Sequence, residues 1–179
     1  MTLSDVDILF EDFKKLVKFN KVRFAHFELN FKVVYGSGEI VPWEVIFSHL
    51  SSIKYFCCEY PPNYSYEALQ SLASTDVQII YLTYTQKTFD FVYFLGVIKQ
   101  ENPKISVQMY FADLLSPEHC QKVQAYVDQL IIETHKSLLF YPPRFDFTNQ
   151  TDESKDTLDS RARRFHLRCY RDRVNYFEM

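Results

Sequence analysis

The stretch that decides the fold begins with Val77-Gln78-Ile79-Ile80-Tyr81-Leu82-Thr83-Tyr84. It runs on through Thr88 to Ile98 and closes with Ile105-Ser106-Val107-Gln108-Met109-Tyr110-Phe111. Its two outer parts are short and rich in β-branched and aromatic residues, the composition of strands. Between them, Phe91, Phe94, Leu95 and Ile98 fall at the 3.6-residue spacing of an amphipathic helix. Thr88 offers a cap for that helix, and Asn102-Pro103 ends it. A strand, a helix and a strand without a hairpin-length link require a parallel pair joined by a crossover.

The same unit recurs on both sides. Upstream, a helix starting near Asp5 carries Val6, Leu9, Phe10, Phe13, Leu16 and Val17 on one face, and Phe24 to Phe31 is its strand. After the Gly36-Ser37-Gly38 turn, Pro42 suits the first helical position before Ile46, Phe47 and Leu50, and Ile53 to Cys58 is the next strand. Pro61-Pro62-Asn63 breaks the chain, Ser65 caps a short helix with Leu69 and Leu72, and the Val77 strand follows. Downstream, Ser116-Pro117-Glu118 supplies a cap, a proline and an acid for a helix lined by Cys120, Val123, Val127, Leu130 and Ile131. A fifth β-rich piece, Ser137 to Tyr141, precedes Pro142-Pro143.

Strand starts at Phe24, Ile53, Val77 and Ile105 therefore recur every 24–29 residues. That period predicts an α/β fold: a leucine-rich-repeat-like stack of helix–strand units with a mainly parallel, curved sheet. The competing architecture is a three-layer α/β sheet with coincidental spacing. The domain would span residues 1–147, with 148–160 a polar loop and 161–179 a basic C-terminal β-hairpin packed on the same domain. In that hairpin Phe165 to Tyr170 would pair with Val174 to Phe177 across Arg171-Asp172-Arg173 and close the sheet edge. Phe13, Phe47, Leu72, Phe94 and Val127 are the expected buried helix residues of successive units. One sheet face would pack on helices and the other would stay open. Ile79, Ile80, Tyr81 and Leu82 are apolar on both sides, which fits either a covered strand or a sticky open patch.

Composition narrows function by exclusion. The 179 residues carry 20 Lys plus Arg against 23 Asp plus Glu, are 47% hydrophobic, and include only three glycines. Gly36, Gly38 and Gly96 do not make a Rossmann fingerprint or a P-loop, which need several glycines at fixed offsets. Cys57, Cys58, Cys120 and Cys169 form no C-x-x-C pair, and the five histidines fall in no metal-ligand spacing. The cysteines read as small buried hydrophobes in a reducing compartment. No metal, no cofactor and no catalytic residue is expected. The N-terminus has no basic segment followed by an apolar run, so Asn63-Tyr64-Ser65 and Asn149-Gln150-Thr151 are expected to be chance glycosylation matches. No apolar run is long enough for a bilayer. The expectation is an intracellular protein, cytoplasmic or nuclear, with no membrane association.

The sharpest charge feature is a run of six arginines, Arg161, Arg163, Arg164, Arg168, Arg171 and Arg173, against a single Asp172, with Tyr170 and Tyr176 interleaved. These eight residues are the candidate partner-binding set. The leading function is non-enzymatic protein–protein interaction. The alternative is nucleic-acid binding, with guanidiniums on phosphates and rings stacked on bases. A pI near 5.9 weighs against it. The bland account is arginines paired with the acidic stretch upstream. A small enzyme with a site assembled from distant residues ranks third.

The segment Ile105-Ser106-Val107-Gln108-Met109-Tyr110, then Leu114-Leu115-Ser116-Pro117-Glu118 and an amphipathic helix, resembles the nematode F-box-associated FTH domain. The chain is similar to it in repeating helix and strand, in its many phenylalanines and in the closing Phe165 to Phe177 stretch, over roughly residues 8–179. The resemblance implies a substrate-recognition or adaptor role and no catalytic residue. No Leu-Pro-rich F-box helix pair precedes the domain, so it implies recognition without the ligase-docking half.

Overall fold

The computed structural model describes residues 2–3, 7–20, 22–28, 31–111, 115–136 and 140–174, with the side chains of 3, 19, 20, 135, 136 and 166–174 excepted. In chain order the elements are β1 Thr2–Leu3, β2 Asp7–Leu9, α1 Phe10–Asn20, β3 Phe24–Phe27, β4 Lys32–Val34, α2 Trp43–Ser48 and β5 Tyr55–Glu59. They continue with α3 Tyr66–Ala73, β6 Ile79–Thr85, α4 Phe91–Glu101, β7 Ser106–Phe111, α5 Pro117–Lys136, β8 Arg144–Asp146 and α6 Asp152–Val174.

The caps explain where the helices begin. The Ser65 hydroxyl accepts from the Ala68 N–H at 3.1 Å, and Ser116 accepts from the His119 N–H at 3.3 Å. In α4 the cap is Asp90, which accepts from the Tyr93 N–H at 2.9 Å, in place of the expected Thr88. A carboxylate makes the stronger bond to orphan amides and complements the helix dipole. The Thr88 carbonyl instead accepts from Asn63 Nδ2 at 3.0 Å, while Asn63 Oδ1 accepts from the Asp90 N–H. Asn63 and Ser65 thus both have structural tasks. Pro42 sits one position earlier than expected, at the N-cap of α2.

The helix–strand units build one six-stranded sheet in the order β1-β3-β5-β6-β7-β8, with every neighbouring pair parallel. The fold is α/β with a parallel sheet, as the spacing predicts. Parallel crossovers between neighbouring strands are right-handed and put successive helices on the same face. Burial agrees: Ala25, Phe27, Phe56, Cys58, Ile80, Leu82, Val107, Met109 and Phe145 join the helix residues in one core. Phe13, Phe47, Leu72, Phe94 and Val127 are each at most 1% exposed, as expected. Much of the aromatic content goes here. Trp43 meets Phe27, Phe47 and Tyr64, Phe47 meets Phe56 and Tyr64 meets Phe94, all at centroid distances of 5.3–6.0 Å. Ring pairs of this kind add about 0.5–1.5 kcal/mol each beyond their buried area.

Besides the caps of α2 and α4, three expected elements are corrected. The first helix starts at Phe10, not near Asp5, because Asp7–Leu9 pairs in parallel with Lys32–Val34 as a separate two-stranded sheet. The fifth strand is Arg144–Asp146, beyond the two prolines, which lack the N–H a ladder needs. Residues 140–141 are not strand, and 137–139 lie outside the described residues. The largest correction is at the C-terminus. Residues 148–151 are loop, but from Asp152 onward the expected polar loop to 160 and basic hairpin of 161–179 give way to one long helix over Asp152–Val174, and 175–179 lie outside the described residues. Thr151 caps it, its hydroxyl accepting from the Ser154 N–H, and Asp152 and Glu153 sit in the first turn. Ser154, Leu158, Ala162 and Phe165 are buried at helical spacing. That apolar stripe is thin and two of its four residues, Ser154 and Ala162, are small, so the surrounding charges mask it in the sequence.

Candidate functional site

With the helices on one face, the other face of the sheet is open. Register fixes which residues share it. Phe24, Tyr55 and Ile79 lie in one row; His26, Cys57, Tyr81, Gln108 and Arg144 lie in the next. A third row, toward the carboxyl ends of the strands, holds Glu59, Thr83, Tyr110 and Asp146. Phe24 is 43% exposed, and Tyr55 and Tyr110 are each 39% exposed. Ile79 and Tyr81 are half-buried by their row neighbours. Of the two readings of the Ile79–Leu82 run, the open apolar patch is the one the alternation produces, with Ile80 and Leu82 turned to the core.

The carboxyl rim is shaped by a bulge. Leu82 pairs with Met109 and Thr85 with Phe111, so β6 spends one residue more than β7 between these points. Tyr84 takes up the excess with φ +52°, and Tyr60, just past β5, has φ +49°. The left-handed region costs an L-residue with a Cβ about 1–2 kcal/mol. Here it aims two rings at each other: Tyr60 and Tyr84 stack at 5.1 Å with 11° between planes, and the Tyr60 N–H donates to the Thr83 carbonyl at 3.0 Å. Beside this stack lies a cleft of about 520 Å³, lined by Glu59, Thr83, Tyr84, Tyr110, Asp146 and Thr148 among others. Carboxyl ends of parallel strands are where α/β sheets usually hold ligands.

Reactive chemistry is poorly served by this face. Cys57 is half-buried and its thiol is pushed up to about 11, by burial first and then by Glu59 and Glu28. A nucleophilic cysteine needs the opposite shift. Its register partner His26 places Nε2 3.7 Å from Glu59 and Nδ1 3.9 Å from Glu28. These are ion-pair distances but not hydrogen bonds. Glu59 and Asp146 end strands three spacings apart, about 14 Å, too far to act as a pair on one bond. Among the described residues no three His, Cys, Asp or Glu side chains are grouped to hold a metal ion. What the face offers is aromatic area, hydrogen-bonding groups and the carboxylates of Glu28, Glu59 and Asp146.

The arginine set lies elsewhere, on α6, and does not form a strand. Arg161 is half-buried, and its guanidinium donates to the Ile131 carbonyl and to Thr134 Oγ1 of α5. Burial, and after it the charge of Arg164, lowers its pKa from the usual guanidinium value. Its role is to clamp two helices. Arg163 and Arg164 are exposed. Arg168, Tyr170, Arg171 and Arg173 belong to the part of α6 whose side chains are not described, and Tyr176 lies outside the described residues. Of the acidic stretch upstream, Asp159 meets Arg144 of β8 at 3.0 Å, and Lys155 between them in sequence meets Asp146 at 3.4 Å.

Sequence reasoning missed the Tyr60–Tyr84 stack and the acidic flanks of the cleft. The period-two pattern Phe24, His26, Glu28 and Tyr55, Cys57, Glu59 marks one strand face and is visible in the sequence. The bulge is not, because tyrosine gives no sign of a positive φ. Comparison of the chain with family models, curated proteins and solved structures gives no match. Among the described residues, no helix is long and apolar enough to cross a membrane.

Proposed function

We propose that this chain is a non-enzymatic protein-interaction module, a leucine-rich-repeat-like arc whose open sheet face receives a partner protein. One observation carries this reading: Phe24 and Tyr55 stand exposed in one row, and Tyr110 two rows further along, on a sheet face that also presents Ile79 and Tyr81 between them. Aromatic residues gathered on one exposed surface are the composition of binding hot spots. The resemblance to F-box-associated FTH domains points the same way, toward substrate recognition or an adaptor role. Free Cys57, Cys58 and Cys120 suit a cytoplasmic or nuclear setting.

The test compares proteins captured from a native extract by the unaltered chain and by the Phe24→Ser, Tyr55→Ser double variant, with circular dichroism confirming the fold. A protein retained by the unaltered chain and by Arg163→Ala, Arg164→Ala, yet lost from the double variant, is the expected result. An identical set of captured proteins from all three would refute the reading.

A further inference from the structure

Resting on that interaction reading, we infer that the cleft at the carboxyl ends of β5 to β8 binds the cationic side chains of an extended, basic segment of the partner. The cleft is acidic at both flanks, with Glu59 on one side and Asp146 on the other, and no basic residue is among the described residues that line it. Between the carboxylates stand two ring faces: Tyr84, 49% exposed and backed by Tyr60, and Tyr110, whose hydroxyl is tied to Gln108 Oε1 at 3.2 Å. A cation over a tyrosine face, with a carboxylate beside it, is held by the ring quadrupole and by direct charge attraction. The nearest internal cation competes weakly. Lys155 reaches Asp146 across a half-exposed 3.4 Å pair. Exposed pairs of this kind are worth little and exchange readily. Thr83 Oγ1 is buried in the cleft wall with no hydrogen-bond partner among the described residues, so a donor entering there would meet an open acceptor.

Spacing sharpens the ligand. Glu59 and Asp146 end strands about 14 Å apart, and an extended chain advances about 3.3 Å per residue with side chains alternating sides. Two lysines or arginines four positions apart therefore point the same way and reach both carboxylates. Adjacent ones point apart and do not.

The test is fluorescence anisotropy of the full chain with two fluorescein-labelled peptides of equal charge. One carries Lys-Ser-Ala-Ser-Lys between glycines, and the other has its two lysines adjacent. The first should bind about three- to tenfold more tightly, and its binding should weaken between 50 and 200 mM NaCl, as exposed charge contacts do. Glu59→Gln and Tyr84→Gly should each weaken it by about three- to tenfold, the range of one cation–π or ion contact. Tyr84→Gly suits this purpose because glycine adopts φ +52° without penalty, so the fold stays while the ring goes. No binding of either peptide at millimolar protein would overturn the inference. So would equal affinities for the two spacings, unchanged affinity in both variants, or binding of neutral cellotetraose in place of the peptide. If the peptides fail while Phe24→Ser, Tyr55→Ser still loses its captured protein, only the cleft assignment falls. If that double variant also loses nothing, the interaction reading falls with it.

Discussion

Replacing Arg161 by Ala tests whether the arginine run serves the fold or a ligand. The guanidinium joins α6 to α5 through the Ile131 carbonyl and Thr134 Oγ1. Hydrogen bonds from a charged donor contribute about 1.5–3 kcal/mol each when buried, and less at a half-buried site. Thr134 is only 3% exposed but also donates to the Leu130 carbonyl at 2.6 Å, so it keeps one partner when Arg161 is cut back. The loss should therefore be about 2 kcal/mol. With a urea slope of about 2 kcal/mol per molar, the midpoint should fall by about 1 M without a change in slope. In a Thr134→Val background the same truncation should cost about 1 kcal/mol less, because one of the two acceptors is already gone. Arg163→Ala and Arg164→Ala, at exposed positions, should each stay within about 0.5 kcal/mol. Urea unfolding followed by circular dichroism reads all of these. A loss below about 0.5 kcal/mol for Arg161→Ala, or no coupling to Thr134, would refute the clamp and return Arg161 to the residues available for a partner.

Phe94→Ala should cost about 3–5 kcal/mol, since Phe94 is 1% exposed and packs on Tyr64 and Phe89; a shift below about 1 kcal/mol in urea unfolding would contradict the core described here. Cys57 ionises near 11 in the folded chain against an ordinary 9.0, so at pH 8 its alkylation by iodoacetamide should be about a hundredfold slower than that of a free thiol, read by peptide mass spectrometry. Because the folded state holds that proton more tightly, stability should fall as pH rises from 9 toward 11, and a midpoint that stays flat over that window would count against the shift. For nucleic acid, single- and double-stranded probes should bind no tighter than about 10⁻⁴ M at physiological salt. Micromolar binding whose salt slope drops by about 2 units in Arg163→Ala, Arg164→Ala would establish the alternative function.

The helix–strand alternation, the parallel sheet and the buried helix residues were legible because each rests on strong local periodicity. Phe91, Phe94, Leu95 and Ile98 admit no other reading. The C-terminal helix was hidden because its buried stripe is Ser154, Leu158, Ala162 and Phe165, two of them small residues with little hydrophobic signal. Aromatic residues at 165, 170, 176 and 177 then favoured strand on propensity alone. Strand β2 was hidden for the opposite reason: Asp7–Leu9 continues the apolar period of α1, and only its long-range partner Lys32–Val34 pulls it out of the helix. The open face was foreseen as a property of the architecture. Which rings stand on it required the register, and the cleft required the bulge at Tyr84.

From β3 onward, each strand of the main sheet pairs with the one synthesised just before it. A chain leaving the ribosome can therefore dock each unit on a finished edge without waiting for a distant segment. Every new strand transiently presents a bare parallel edge, and the next to emerge covers it. The last exposed edge is β8, and α6 follows it at once, held by Arg144–Asp159 and Asp146–Lys155. A nascent chain whose β8 has left the ribosome while α6 is still within it keeps that edge bare, and at that stage it can pair with a neighbour on the same message.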